Sequence, residues 1–173
     1  MAFAHKNIRL PAQHYRGLRA YFVTICCTDR NPTFANVALA KWLVDWLRRL
    51  ADLHRFRTHA YCVMPDHLHI LLEGAAKESN LLALMKDLKQ RTGHEYQQKF
   101  FQPLWQKKFY DYVLRPKDSL EAVANYIWLN PVRKGLCGRP EDYPSSGSFT
   151  GPWPRGLAQE PAWTPSWKEN RPA

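Results

Sequence analysis

The chain has no Cys-x-x-Cys pair, no apolar run near the ~20 residues that cross a bilayer, no Gly-x-x-x-x-Gly-Lys-Ser/Thr loop and no internal repeat. A membrane role is therefore excluded, and no phosphate-cradling loop points to ATP. The opening MAFAHKNIRLPAQHY carries no secretory leader, so Cys26, Cys27, Cys62 and Cys137 read as buried free thiols of a cytoplasmic protein. Acidic residues are also scarce. Aspartate plus glutamate number 15 against 25 lysine plus arginine, a net charge of +10 and a pI of about 9.6. Such a surface suits a polyanionic partner.

What is present fits one domain with a tail. At 173 residues and 45% hydrophobic content the chain can bury a core without a metal or disulfide staple. Residues 1–20 form a basic arm, with Lys6, Arg9, Arg16 and Arg19 and no acid between them. Such an arm suits phosphates as well as it suits a frayed terminus. A compact domain is expected over 21–139. From 140 to 173 the chain holds seven of its thirteen prolines, together with Trp153, Trp163 and Trp167, and reads as a docked or partly disordered tail with no regular element.

Within the domain, YFVTICC reads as a strand ending in the turn-prone DRNP. Leu39, Trp42, Leu43, Trp46, Leu47, Leu50 and Leu53 then fall at helical spacing behind an Asn36 cap. AYCVM and HLHILLE flank Pro65-Asp66 as two tightly connected strands. A second helix runs from caps at Ser79 and Asn80 to about Phe100. The extended segment WQKKFYDY follows, and from Lys86 to Arg115 seven basic residues stand against three acidic ones. A third helix is expected to start at Asp118, capped with Glu121, and to end before Pro131. The order indicates an α+β fold, a ferredoxin-like split βαβ arrangement whose antiparallel sheet is covered by helices on one face.

His67 and His69 stand two apart on a strand, so both leave one sheet face while Leu68, Ile70 and Leu72 leave the other. Two imidazoles side by side make part of a metal site, although ordinary polar-face residues also occur at this spacing. Tyr126 and Asn130, one helical turn apart, can reach the same point. They can equally be a core-edge tyrosine and an asparagine that ends the helix. Lys107, Lys108, Arg115 and Arg133 are candidate phosphate contacts. Trp105 and Tyr110 could stack on unpaired bases or pack against the sheet. Asp66 could orient a histidine or simply serve a Pro-Asp turn.

The strings YFVTICCTDR, AYCVMPDHLHILL, WQKKFYDYVLR and NYIWLNPVRKGL, in this order across roughly residues 8 to 147, resemble the REP-associated tyrosine transposases. These belong to the HUH superfamily, named for two histidines around an apolar residue, here His67-Leu68-His69. The resemblance implies that His67 and His69 hold a divalent metal, Mg²⁺ or Mn²⁺, that Tyr126 is the nucleophile, and that Asn130 stands at the third ligand position. Only one tyrosine lies in NYIWLNP, which disfavours a two-tyrosine mechanism. The implied activity is metal-dependent cleavage and rejoining of single-stranded DNA at hairpin-forming repeats through a 5′-phosphotyrosine intermediate, in the cytoplasm on the nucleoid. The alternatives are a non-cleaving hairpin DNA- or RNA-binding host factor of the same fold, and a metal hydrolase that uses water. The presence of His67, His69 and Tyr126 together argues against a decayed enzyme. Monomer and homodimer both remain open.

Overall fold

A computed structural model describes residues 9–151 and 161–165. Lys6, Trp153 and Trp167 lie outside the described residues. The elements run β1 (Ala20–Cys26), α1 (Val37–Leu53), β2 (Phe56–Met64), β3 (His67–Gly74), α2 (Leu81–Phe100), β4 (Tyr110–Val113), α3 (Leu120–Trp128), α4 (Asn130–Arg133) and β5 (Ser146–Gly147). The sheet order is β4-β1-β3-β2-β5, and every neighbouring pair is antiparallel. The first four strands with α1 and α2 form the split βαβ unit expected from the sequence, and β5 is added at the β2 edge.

Both long helices begin at asparagines. The Asn36 side chain accepts hydrogen bonds from Ala38 and Leu39 N–H, and the Asn80 side chain accepts one from Ala83 N–H. Each satisfies backbone donors that the first helical turn leaves unpaired. Ala40, Leu43, Leu47 and Leu50 of α1 and Leu81, Leu84, Met85 and Leu88 of α2 then pack on one face of the sheet, against Tyr21, Val23, Ile25, Leu68, Ile70 and Leu72. The expectation of helices on one face alone is corrected here, because the apolar side of α3 covers the other face. Val123, Ala124, Tyr126, Ile127 and Trp128 pack there against Phe22, Ala60, Cys62, Met64 and Leu71. Burial on both faces explains why β1 and β3 are almost unbroken apolar runs rather than alternating ones.

Two expectations about local structure are corrected. The cap of α3 is Ser119, which accepts from Ala122 N–H. Asp118 is instead occupied by the Tyr112 hydroxyl, the Arg115 N–H and the Trp163 indole. The proline-rich stretch also contains regular structure. Ser146 and Gly147 pair with Cys62 and Tyr61, the Tyr143 hydroxyl donates to the Val63 carbonyl at 2.9 Å, and the Trp128 indole donates to the Gly147 carbonyl at 3.0 Å. Of the cysteines, Cys27 and Cys62 are buried free thiols as expected, whereas Cys26 and Cys137 are half-buried.

The described part of the basic arm is docked. Tyr15 is buried, stacks on Tyr21 and donates its hydroxyl to Asp111 at 2.7 Å, while Arg9 lies over the Phe109 ring. Where this segment meets the end of β3, Gly74 is packed so closely that an added Cβ would lie 1.9 Å from the Gly17 carbonyl oxygen. Backbone cannot yield as a flexible side chain does. Gly74→Ala is therefore expected to destabilise the fold by about 2–3 kcal/mol, read as a lower urea midpoint. An unchanged midpoint would show that the 9–19 segment is not held against β3.

Candidate functional site

Residue alternation places the site on the face that α3 covers. In the β1–β3 register, Cys26 faces His67, Thr24 faces His69 and Phe22 faces Leu71. Tyr110 and Tyr112 of β4 lie opposite Thr24 and Phe22. Because side chains on paired strands share a face, the two histidines, Thr24 and both β4 tyrosines all point toward α3.

The histidines converge. Their Nε2 atoms are 3.0 Å apart, and each ring is held from behind through its Nδ1. His67 Nδ1 is 2.6 Å from Asp66 Oδ1, and the other Asp66 oxygen pairs with Arg30 Nε at 2.8 Å. A carboxylate paired with arginine only accepts, so the proton of His67 resides on Nδ1 and its Nε2 presents a lone pair. His69 Nε2–H then donates to the bare His67 Nε2, and the Thr24 hydroxyl, 2.8 Å away, donates to His69 Nδ1. Ligation of a metal at Nε2 would move the His69 proton to Nδ1, where the same hydroxyl can accept it. Burial pulls the His67 pKa below its ordinary value, against the opposing pull of Asp66, and Arg30 and Lys134 lower it further. A neutral imidazole with a bare Nε2 is the form that ligates metal.

This pair fits a divalent ion. Two nitrogens about 2.1 Å from one ion and at right angles to each other would lie ~3 Å apart, the separation seen here. Among the described residues no group of three histidine, cysteine, aspartate or glutamate side chains could hold a metal. From the described residues, any further protein ligand would be an amide oxygen, with water or substrate oxygens completing the set. Asn130 is buried beside Tyr126, but its amide is engaged. Nδ2 donates to the Tyr126 carbonyl and Oδ1 accepts from Arg133, each at 3.0 Å.

Tyr126 comes from α3 into the same neighbourhood. Its ring centroid is 6.2 Å from that of His69 and 5.8 Å edge-on from Phe22, and the Arg133 guanidinium sits 4.3 Å over it. Only 1% of the residue is exposed, because Trp163 closes the remaining side, 5.3 Å from Tyr126 and 5.3 Å from Phe22. Trp163 is fixed by its bond to Asp118. The Tyr112 hydroxyl donates to the same carboxylate, and burial, with Asp118 adding to it, pushes its pKa up to about 12.

Of the residues singled out in the sequence, His67, His69, Tyr126, Asn130 and Arg133 are thus brought together. Tyr110 lies on the same face, edge-on to Phe22. Arg115 is exposed beside the Tyr112 ring. Lys107 and Lys108 are exposed on the strand-leading loop, and Trp105 is turned to the opposite side of the sheet. The Trp105 indole donates to Thr92 at 2.8 Å and its ring packs on Phe34. Thr24, Arg30 and Lys134 carried no signal in the sequence. They join the site through strand register, through the turn after β1 and through the end of α4.

Comparison with known proteins agrees with this geometry. The profile of the family described as "Transposase IS200 like" matches residues 17–130, the stretch from just before β1 through Tyr126 to Asn130. A Haemophilus influenzae protein provisionally named a REP-associated tyrosine transposase is 26% identical over 137 residues, covering 73% of this chain and 77% of that protein. The REP-associated tyrosine transposase of Escherichia coli K12 is 26% identical over 91 residues, 53% of each chain. A solved structure of a REP-associated tyrosine transposase bound to a REP hairpin superposes with a TM-score of 0.68 at 19% identity, covering 82% of this chain and 81% of that one. With the profile spanning the whole split βαβ unit, the histidine pair and the tyrosine helix, the chain belongs to the IS200-like transposase family.

Proposed function

We propose that this protein is a metal-dependent single-stranded DNA endonuclease and strand transferase that acts at hairpin-forming repeats, with Tyr126 as the nucleophile. The observation that carries the reading is the 3.0 Å approach of the two Nε2 atoms on the sheet face against which the Tyr126 ring is packed. The hairpin-bound relative supports hairpin DNA as the partner.

His67 and His69 would hold the divalent ion, Mg²⁺ or Mn²⁺, and Asn130 would join them by exchanging Arg133 for the ion at its Oδ1. When bound, the metal supplies Lewis-acid polarisation of the scissile phosphate. Asp66 and Thr24 keep the two imidazoles in register. Arg30, Arg133 and Lys134 bring positive charge to the mouth of the site, where non-bridging phosphate oxygens would lie. The Tyr126 oxygen forms a bond to phosphorus while the bond to the 3′ oxygen breaks, giving a 5′-phosphotyrosine and a strand ending in a 3′-hydroxyl. The tyrosine proton leaves to solvent, and the departing 3′ oxygen gains one. A later 3′-hydroxyl can reverse the exchange without ATP, because the phosphodiester is conserved as the tyrosyl ester.

The test is incubation with end-labelled hairpin DNA carrying a single-stranded extension, with Mg²⁺ or Mn²⁺, followed by a denaturing protein gel. A labelled band at the protein's mass is expected. Cleavage without an adduct would point to water as the nucleophile, and binding without cleavage to a hairpin-binding factor of the same fold.

Trp163 packs edge-on against the buried Tyr126 ring, so DNA that approaches the tyrosine from this side would have to displace the indole. Its two close aromatic pairs and its hydrogen bond to the Asp118 carboxylate amount to about 2.5–6 kcal/mol. Trp163→Ala is accordingly expected to raise the initial rate of adduct formation by at least about tenfold, with little change in hairpin affinity. A lower rate would show that Trp163 supports the tyrosine rather than covers it.

A further inference from the structure

A second feature lies on the other side of the sheet, where α2 faces the loop that leads into β4. The two elements enclose an open groove of about 600 Å³. Four cationic residues line it, Arg9, Lys86, Lys89 and Lys107, and among the described residues the lining includes no carboxylate. Asp111 pairs with Arg9 at 3.6 Å, which leaves Lys86 and Lys107 as exposed charges. Lys89 is committed to the wall. Its ammonium donates to the Gln106 and Lys107 carbonyls at 2.7 and 2.8 Å and so ties the loop to the helix.

The helix side of the groove follows one stripe. Lys86, Gln90, Gly93 and Gln97 recur at intervals of four, three and four residues, which puts them along one face over ~16 Å. The glycine is the informative member. A glycine inside a helix costs about 1 kcal/mol relative to alanine. An added Cβ here would meet only Trp105 Cδ1, at an ordinary 3.7 Å. Packing therefore does not demand glycine at 93, and what glycine provides is a bare groove floor beside the Trp105 edge.

We infer that this groove is a binding site for an unpaired DNA strand, whose phosphates meet Lys86 and Lys107 and whose bases meet Gln90 and Gln97 across the Gly93 floor. The inference rests on the nucleic-acid reading above and extends it to a surface separate from the histidine pair. A continuous strand can use both sites. The groove opens beside β4, an edge strand of the sheet, and the opposite face of that strand carries Tyr110 and Tyr112 next to the histidines. Phosphate contacts would fix the register of the strand, and the amides and the bare floor would govern which nucleotides enter.

The experiment uses the full chain with EDTA, so that no cleavage occurs, and measures fluorescence anisotropy of a labelled hairpin with and without a single-stranded extension at several salt concentrations. The Lys86→Gln/Lys107→Gln pair is expected to weaken binding of the extended hairpin by about tenfold. It should also flatten its log–log salt dependence by roughly 0.7 per lost contact, leaving the blunt hairpin unaffected. Lys41→Gln/Lys77→Gln, which removes the same charge elsewhere, should have little effect. Gly93→Ala should keep or raise the thermal midpoint yet weaken binding of the extension several-fold. Equal losses in the two lysine pairs, or full affinity in Gly93→Ala, would overturn the inference. If the Tyr126 adduct forms while the groove variants bind normally, the groove assignment fails alone. If the groove variants lose the extension and no adduct ever forms, the groove stands and the cleavage reading falls.

Discussion

Tyr126→Phe is expected to abolish the covalent protein–DNA adduct, a loss of at least ~10⁴-fold, while hairpin affinity stays within about twofold. The substitution removes one oxygen and keeps the ring. Its contacts with Phe22, His69, Trp163 and the Arg133 guanidinium are contacts of the ring itself, so the packing of α3 on the sheet survives. Binding should persist because the cations proposed to hold the phosphates lie elsewhere. The check is a denaturing gel with labelled hairpin, together with anisotropy for affinity. An adduct that persisted would move the nucleophile to β4, where Tyr110 and Tyr112 share the site's face. Tyr112 is the weaker rival, because its hydroxyl is already given to Asp118 and its pKa is pushed up to about 12 by burial and that carboxylate. A tyrosine so placed yields its proton with difficulty at neutral pH.

The framework of the fold was legible because its signals are local. Asn36 and Asn80 announce helix starts, the apolar stripe of α1 has helical period, and Pro65-Asp66 punctuates a hairpin. Failures came where distant partners compete for a side chain. Asp118 has the chemistry of a cap and the right spacing to Glu121, yet Tyr112 and Trp163 claim it, and Ser119 caps instead. The short strand β5 has no pattern of its own. It exists because the backbone of Ser145 to Gly147 answers β2 and the Trp128 indole, contacts that no window of sequence contains. The helical period likewise marks the apolar side of α3 without saying which sheet face that side will cover.

The candidate site divides along the same line. Alternation along β3 was enough to put His67 and His69 on one face, since side-chain direction has a period of two. Nothing local links them to a tyrosine 57 residues beyond His69, and only the resemblance of whole motifs made that connection. Thr24 and Arg30 were missed because their roles depend on strand register and on the turn after β1, where Asp29 and Arg30 both take positive φ. Trp105 shows the converse. Its position in a basic aromatic segment suggested a surface for bases, but the fold fills its hydrogen bond with Thr92 and its ring with Phe34, leaving only an edge in the groove.

The histidines should show the other large effect, and graded variants separate ligand from support. His67→Ala and His69→Ala are each expected to lower cleavage by at least ~10³-fold and to remove measurable Mn²⁺ binding, because the described residues contain no third imidazole, thiolate or carboxylate to compensate. Asp66→Asn should be milder, about 10–100-fold in metal affinity. An amide can still hold the His67 Nδ1–H through its oxygen, but it no longer neutralises Arg30, and that guanidinium then stands unpaired beside an imidazole that must accept a cation. Thr24→Val removes the hydroxyl at His69 Nδ1 while keeping the branched shape suited to a buried strand, and a loss of similar size is expected. Titration calorimetry with Mn²⁺, run beside the adduct gel, gives both readouts on one preparation. The order expected is wild type, then Asp66→Asn and Thr24→Val together, then the alanine variants. Full metal affinity in His67→Ala or His69→Ala would end the assignment of the 3.0 Å pair as the metal site. Losses in Asp66→Asn as deep as in the alanine variants would show instead that the carboxylate itself is a ligand and that Arg30 gives way when the ion binds.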